Sequence, residues 1–469
     1  MQEFKYGNAT TGDLWAAWEL ASRQPIAEMM GLWTRQMGFP LLELTAATPT
    51  PGGGLTLQLK QGWFLADGSS VAADEEKTWA IPLFVACSGG AEGGEGTPHI
   101  GIMKDATHEV HTSGDGAWVK LNAQQYVPMR VKYPDSMFSG LAAAVRAKSI
   151  SAADRIGLLS DQYQLCKAGK LDPTRLLELL AAFDQEDEPT VLSQLLTSLS
   201  GLHSLFAASA ELQVAFDGFA RGLVAPIVDR LGWDPHEEDA HLTRKLRGEV
   251  IAALPSFCGS DAAVLSEARR RFDAFMADPS PDKAQGKAAL PSEIASTVFK
   301  LAQAAGGEAE FEAMLSSYSL CTLNDDKKNS LLGIAAAPTP ELRQRALEFA
   351  MSDAVKLQDF FYVALTMHRK DADGMEATWQ FFQTRLPEYK SKLEKAGSSL
   401  MDACITGACA GFATADKAAE VRAFFAAPDN ALPKNERKIA QTLESINNNC
   451  AFLSAFKGSH ALAWLKERA

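Results

Sequence analysis

Eight histidines are spread over 469 residues, and no two of them form H-E-x-x-H. A zinc hydrolase of that type needs two histidines one helical turn apart with a glutamate beside the first. The nearest arrangements fail on geometry. "HEVH" at 108 to 111 falls in a strand-like segment, where residues three apart face opposite sides, so His108 and His111 share no metal. "HEEDAH" spaces His236 and His241 five apart across a loop and a helix start. The seven cysteines are an odd number without a small-domain framework. Cys404 and Cys409 lack a second pair, so neither a zinc knuckle nor a disulfide scaffold is indicated, and buried free thiols are expected. The glycine-rich "GGAEGGEG" has no Lys-Ser/Thr ending and opens no helix, so it reads as a hairpin loop and not a phosphate cradle. No serine or cysteine sits in an elbow or beside an activating base. No run reaches the roughly 18 apolar residues of a membrane span, and no charged-then-apolar signal segment opens the chain, which points to the cytoplasm. Cations are also in deficit. The net charge of −13 leaves no basic footprint for nucleic acid.

What is present is a change of period along the chain. Its length predicts several domains. Residues 1–38 read as two short helices. Thr10 and Asp13 form a capping-box start for "TTGDLWAAWELASR". The second, "QPIAEMMGLWTRQMG", has Pro25 near its start and Gly38 as its stop. Residues 39–133 switch to short alternating segments: "FPLLELTA", "GLTLQLKQGWFL", "TWAIPLFVACS", "HIGIMKD", "THEVHT", "AWVKLN" and "YVPMRVKY". Turn residues separate them, so seven strands in a β-sandwich are expected. Residues 134–469 are helical almost throughout, with Gly, Pro or Asp-Pro punctuation. Some 16 to 20 antiparallel helices exceed one bundle, so an α-solenoid of stacked pairs is expected from their spacing. The fold class is thus multidomain and mainly α.

One charge stands apart. Arg247, in "HLTRKLRGEV", lies beside Leu246 and Val250 at the edge of an apolar face. From there it is expected either to bind substrate in the solenoid's concavity or to form an ion pair between helices. "RRRF" at 269 to 272 reads as a solvated face. No catalytic or metal-binding residue is assigned.

Longer stretches then match a family. "NATTGDLW" and "WTRQMGFP" resemble N-A-T-T-x-D-L-W and W-T-x-Q-x-G-F-P of the puromycin-sensitive-type zinc aminopeptidases. Asn8, Thr10, Thr11, Asp13, Trp15, Trp33, Gln36, Gly38 and Pro40 are among the fitting residues. Leu57, Leu59, Gln61 and Phe64 fit the following L-x-L-x-Q-x-x-F, and "WVKLN" (118–122) fits a late strand. "DRIGLLSD" (154–161), "LGWDP" (231–235), "HLTRKLR" (241–247), "EARRRF" (267–272), "VRAFF" (421–425) and "ERKIAQTLESINNN" (436–449) follow in family order. One departure is "AQQYVPMRVKY": Arg130 fits, but Met129 stands in place of an aromatic.

The resemblance implies a C-terminal half of such an enzyme. Its zinc ligands, glutamate base, oxyanion-stabilising tyrosine and G-A-M-E-N loop belong to a catalytic domain whose motifs this chain lacks. Zinc is therefore implied for the parent enzyme and no cofactor for this chain. The helical part would cap the active site and enclose the peptide chamber. Partners are then peptide substrates and the catalytic half, in cis or in trans; an exposed docking face would favour self-association. The alternative is a catalytically inactive peptide-binding or scaffold protein of the same descent.

Overall fold

A computed structural model of the chain describes residues 4–51, 53–72, 74–90, 99–277 and 290–468. It is mainly helical, with short strands in two small sheets. The chain divides into two compact units, Met1–Val191 and Leu192–Ala469.

The first unit opens with α1 (Thr11–Ser22). Its start is the expected capping box: Asp13 N–H donates to the Thr10 hydroxyl, and Thr10 N–H donates to the Asp13 carboxylate at 2.8 Å. These bonds hold the Asp13 carboxyl below its ordinary pKa. α2 (Ile26–Thr34) ends four residues before Gly38. Gly38 is not the helix stop but a tight turn, at φ +95°, where a Cβ would lie 2.1 Å from the Trp63 ring. α2 is tied to the strands: Trp33 Nε1 donates to Ala80 O at 3.0 Å, and Lys104 pairs with Glu28 at 3.1 Å. α1 buries no residue.

Seven strands follow: β1 (Pro40–Pro49), β2 (Leu55–Trp63), β3 (Ile81–Cys87), β4 (His99–Met103), β5 (Thr107–Thr112), β6 (Val119–Leu121) and β7 (Arg130–Lys132). They form sheets of order β5-β2-β1-β7 and β4-β3-β6. β1 and β2 are an antiparallel pair with an irregularity between Leu44 and Ala46, while β7 joins β1 in parallel. The period of two sets the core: Leu55, Leu57, Leu59 and Gln61 point inward from β2. The glycine-rich run beyond Gly90 lies outside the described residues through position 98. The unit continues through α3 (Asp135–Arg146), α4 (Ala152–Lys167) and α5 (Pro173–Ala181).

The second unit is helical. α6 (Pro189–Phe206), most of it in this unit, is followed by α7 (Ala210–Leu231), α8 (His241–Phe257) and α9 (Ala262–Met276). Then come α10 (Ser292–Ala305), α11 (Glu308–Leu320), α12 (Asn324–Ile334), α13 (Pro340–Met351) and α14 (Phe361–His368). α15 (Ala372–Lys392), α16 (Ser398–Cys409), α17 (Ala415–Ala426), α18 (Glu436–Gly458) and α19 (Ala461–Lys466) complete it. Packing is serial: α10 on α12, α12 on α14, α14 on α16 and α16 on α18, with α13 on α15. Aromatics fill the layers. Trp379, wholly buried, stacks on Phe382 and meets Phe424 edge-on. No single helix among the described residues is long and apolar enough to cross a membrane.

Candidate functional site

Arg247 is the residue singled out by the sequence, and it lies on α8 where Leu246, Val250 and Ile251 are buried beside it. Its own side chain is 4% exposed. A charge this deep needs partners, and it has two. Nε donates to the Leu231 carbonyl at 3.0 Å, and Nη1 meets the Asp239 carboxylate at 2.7 Å. Asp239 also accepts the His236 N–H at 2.7 Å. The Arg247 bond, followed by that N–H, holds the Asp239 carboxyl below its ordinary pKa. Both ends of the α7–α8 connection, residues 232–240, are therefore fixed by one guanidinium.

A second arginine holds its middle. Arg271 of α9 forms a fork with Asp234, Nη1 to Oδ1 at 2.9 Å and Nη2 to Oδ2 at 2.6 Å. Its Nε donates to Glu267 at 2.6 Å, and its guanidinium lies 5.6 Å from the Trp233 ring centre. Bonds from Arg270 first, then Arg271, draw the Glu267 pKa down to about 2. The expectation that "RRRF" is a solvated face is corrected here. Arg270 is exposed, but Arg271 is buried and wholly engaged. A helix turns each residue by about 100°, so three consecutive arginines cannot share one face.

The first unit holds a buried ionic network that the quoted motifs build without announcing. Lys120, in "WVKLN", is 1% exposed, 3.4 Å from Asp154, and donates to the Leu121 carbonyl at 2.6 Å. Asp154, in "DRIGLLSD", also accepts the Gln124 N–H at 2.8 Å. Arg130 meets Asp161 at 3.1 Å and Ser160 at 2.9 Å. Burial pushes the Asp161 pKa up to about 6, against the pull of Lys120 and Arg130; it pushes the Lys120 ammonium down, against Asp154 and Asp161. Arg155 and Glu186 form a buried fork at 2.7 and 3.0 Å. Met129, where the family has an aromatic, is buried in the apolar core.

Sequence comparison then fits these motifs to a family. The profile described as "ERAP1-like C-terminal domain" matches residues 118–448, from Trp118 at the start of "WVKLN". The chain belongs to this family. Aminopeptidase M1 of Arabidopsis thaliana is 31% identical over 98% of this chain and 51% of its own length. Aminopeptidase 2, mitochondrial, of Saccharomyces cerevisiae is 26% identical over 97% of the chain and 45% of its own length. Puromycin-sensitive aminopeptidase of Caenorhabditis elegans is 25% identical over 97% and 47%. The chain spans about half the length of the curated relatives it matches.

The Arg247 and Arg271 clamps lie inside the ERAP1-like match, and so does most of the second unit. Among the described residues no group of three or more His, Cys, Asp or Glu side chains is placed to hold a metal. Glu109 and His111 lie on the exposed face of β5, with Val110 buried between them, and His111 bonds Thr56 at 3.0 Å. His236 is in the 232–240 connection and His241 begins α8. Zinc therefore does not fit these donor sets. The thiols are free, and six of the seven are buried. Burial raises the pKa of Cys166, Cys404 and Cys409, which makes them poor nucleophiles.

The sequence marked Arg247 but missed Arg271, Lys120 and Arg155. Each was visible as a charge within an apolar helix or strand. What was not visible was its partner, 30 or more residues away for the Asp154, Glu186 and Asp234 contacts.

Proposed function

We propose that this chain is the C-terminal part of a zinc metallo-aminopeptidase that removes N-terminal residues from peptides. It works with a catalytic region supplied in cis or in trans. The observation that carries this reading is α1. Its cap is fully formed, yet it buries no side chain and leaves Leu14, Trp18 and Leu20 exposed, with the Trp15 and Trp18 rings tilted against each other, centres 5.1 Å apart. An apolar, ordered helix without a core of its own fits a docking face for a further domain. Alignment of nearly the whole chain with half of named aminopeptidases supports the same conclusion.

Residues 1–38 are then the terminal helices of a catalytic domain, 39–133 a β-sandwich, and 134–469 an α-solenoid that caps the peptide chamber. The two sheets and the serial packing of α10, α12, α14, α16 and α18 support these assignments. The chain's part is to enclose the peptide and contact its distal end, in the cytoplasm. Arg247 serves substrate binding as a positioning residue, by holding the 232–240 connection in the chamber wall.

The test is activity by combination. The purified chain alone is expected to release no amine from aminoacyl-amides, and to co-purify with a polypeptide carrying H-E-x-x-H that does. Stoichiometric zinc and hydrolysis by the chain alone would overturn the proposal. In the active assembly, Arg247→Ala is expected to raise KM for longer peptides more than for aminoacyl-amides. Equal effects would assign Arg247 to stability alone.

A further inference from the structure

The helices of the second unit make a closed circuit of contacts. α7 packs on α8, α8 on α10, and α10 leads through α12, α14 and α16 to α18; α18 meets α19, which returns to α7. An open stack of helix pairs has no such return, because each layer touches only its neighbours. Aromatic rings make the return. Trp464 of α19 meets Phe219 of α7 edge-on, centres 5.3 Å apart, and Phe456 of α18 meets Phe206 of α6 edge-on at 4.8 Å. Lys466 pairs with Glu211 at 2.6 Å across 255 positions of sequence.

The joint has a deep half and a shallow half. Phe206, Phe216 and Phe456 are wholly buried and pack together. α19, by contrast, has six residues, and its ion pair is more than half exposed on both sides, so that pair contributes little. The fit of α19 on α7 is also incomplete. Ala210, Glu211, Val214 and Ala215 of α7 line a cleft of about 490 Å³ with Lys466, and Val214 is 74% exposed. Surface left unfilled forfeits its contacts on that side. A short helix with buried Ala461 and Leu465 and one edge-on tryptophan therefore closes the shallow half.

We infer that α19 is a releasable strap that closes the helical unit on itself. Its release opens the circuit at the α7 seam, while the deep ring cluster and the α10–α16 layers stay folded. Six residues are too few for a helix that stands alone in water. Undocking therefore unfolds α19 and uncovers Phe219 in one step, which couples the end of the chain to a helix more than 230 positions earlier. The strap is a property of the second unit alone and stands whether or not the chain serves an aminopeptidase.

Native-state hydrogen exchange of the whole chain tests it, because local opening is read helix by helix. Trp464→Ala should lower amide protection about tenfold or more in α19 and, together with it, in the turn of α7 around Phe219. Protection of α14 and α16 should not change, which shows that the variant is folded. Trp464→Phe keeps an edge-on ring and should restore most of the protection in both helices. Lys466→Ala, which removes only the exposed pair, should change protection less than about fivefold. Loss confined to α19, with α7 unchanged, is the fraying of an open stack and would overturn the strap. So would a uniform loss through α10 to α16, which would make α19 part of one cooperative core. An α19 without protection in the parent chain would overturn it as well, since a strap must be closed most of the time.

Discussion

Arg155→Met tests whether the family's D-R-x-G-L motif is a stability device. The substitution keeps the aliphatic stem and removes three bonds: Nε and Nη2 to Glu186 at 2.7 and 3.0 Å, and Nη1 to the Ile150 carbonyl at 2.7 Å. Both residues are about 95% buried, so solvent does not replace what is lost. Glu186 keeps the N–H groups of Asp187 and Glu188, at 3.1 and 3.0 Å. Removing one partner of a buried pair costs about 3–5 kcal/mol, and the donors that Glu186 keeps place the cost near 3 kcal/mol. With two compact units, a single melting curve is a poor measure. Hydrogen exchange along α4 reads the local free energy directly. A cost of about 3 kcal/mol lowers amide protection there about 150-fold. Adding Glu186→Gln removes the buried charge that has lost its guanidinium, so the double variant should cost no more than Arg155→Met alone. A loss of protection below tenfold, or a double variant whose cost equals the sum of the singles, would refute the reasoning.

Gly140→Ala places a Cβ 1.9 Å from the Ala117 carbonyl oxygen, so urea titration should show a cost of about 3 kcal/mol or more. Gly222→Ala, at an exposed position of α7 with nothing within 4 Å, should instead stabilise by about 0.5–1 kcal/mol. Arg271→Met should lower amide protection along α9 and expose the 232–240 connection to protease, while Arg270→Met leaves both unchanged. Asp161 has a folded pKa raised to about 6 from 3.8, so between those values the folded state binds more protons than the unfolded. Its contribution therefore falls as pH rises from about 4 to 6. Asp161→Asn should flatten that segment of a stability-against-pH curve measured by urea midpoint.

Much of this fold can be read from period and punctuation. The strands of β1 and β2 announce themselves by Leu at alternate positions, and Thr10 with Asp13 announces α1. These are local signals, fixed by backbone geometry within a few residues. Gly38 shows where locality ends. A glycine after a helix suggests its stop, yet its φ of +95° and the Trp63 ring beside it belong to a turn. The ionic partners are less legible still. Lys120 and Asp154 lie 34 positions apart, and nothing in either segment names the other. The family resemblance supplied the segments; only the fold supplied the pairs. The same holds for Arg247: its place on an apolar face was readable, but its commitment to Leu231 and Asp239 required the turn between α7 and α8.

The case of α1 carries this furthest, because local signals there outrun the packing. Twelve residues are near the lower limit for a helix in water, and a capping box contributes only about 1 kcal/mol. α2 packs against α1 and adds a bond from Ala27 N–H to the Glu19 carboxylate at 2.9 Å. Neither source matches the stabilisation that burial of Leu14, Trp18 and Leu20 would give, about 1.5–3 kcal/mol for a large side chain. A well-capped helix whose large apolar residues stay uncovered fits the docking face proposed for it. Hydrogen exchange of α1 in the isolated chain should therefore be fast. It should slow by orders of magnitude when a catalytic polypeptide binds, while α4 is unchanged. Strong protection of α1 in the isolated chain would mean that the helix needs no partner, and the docking role assigned to it would fall.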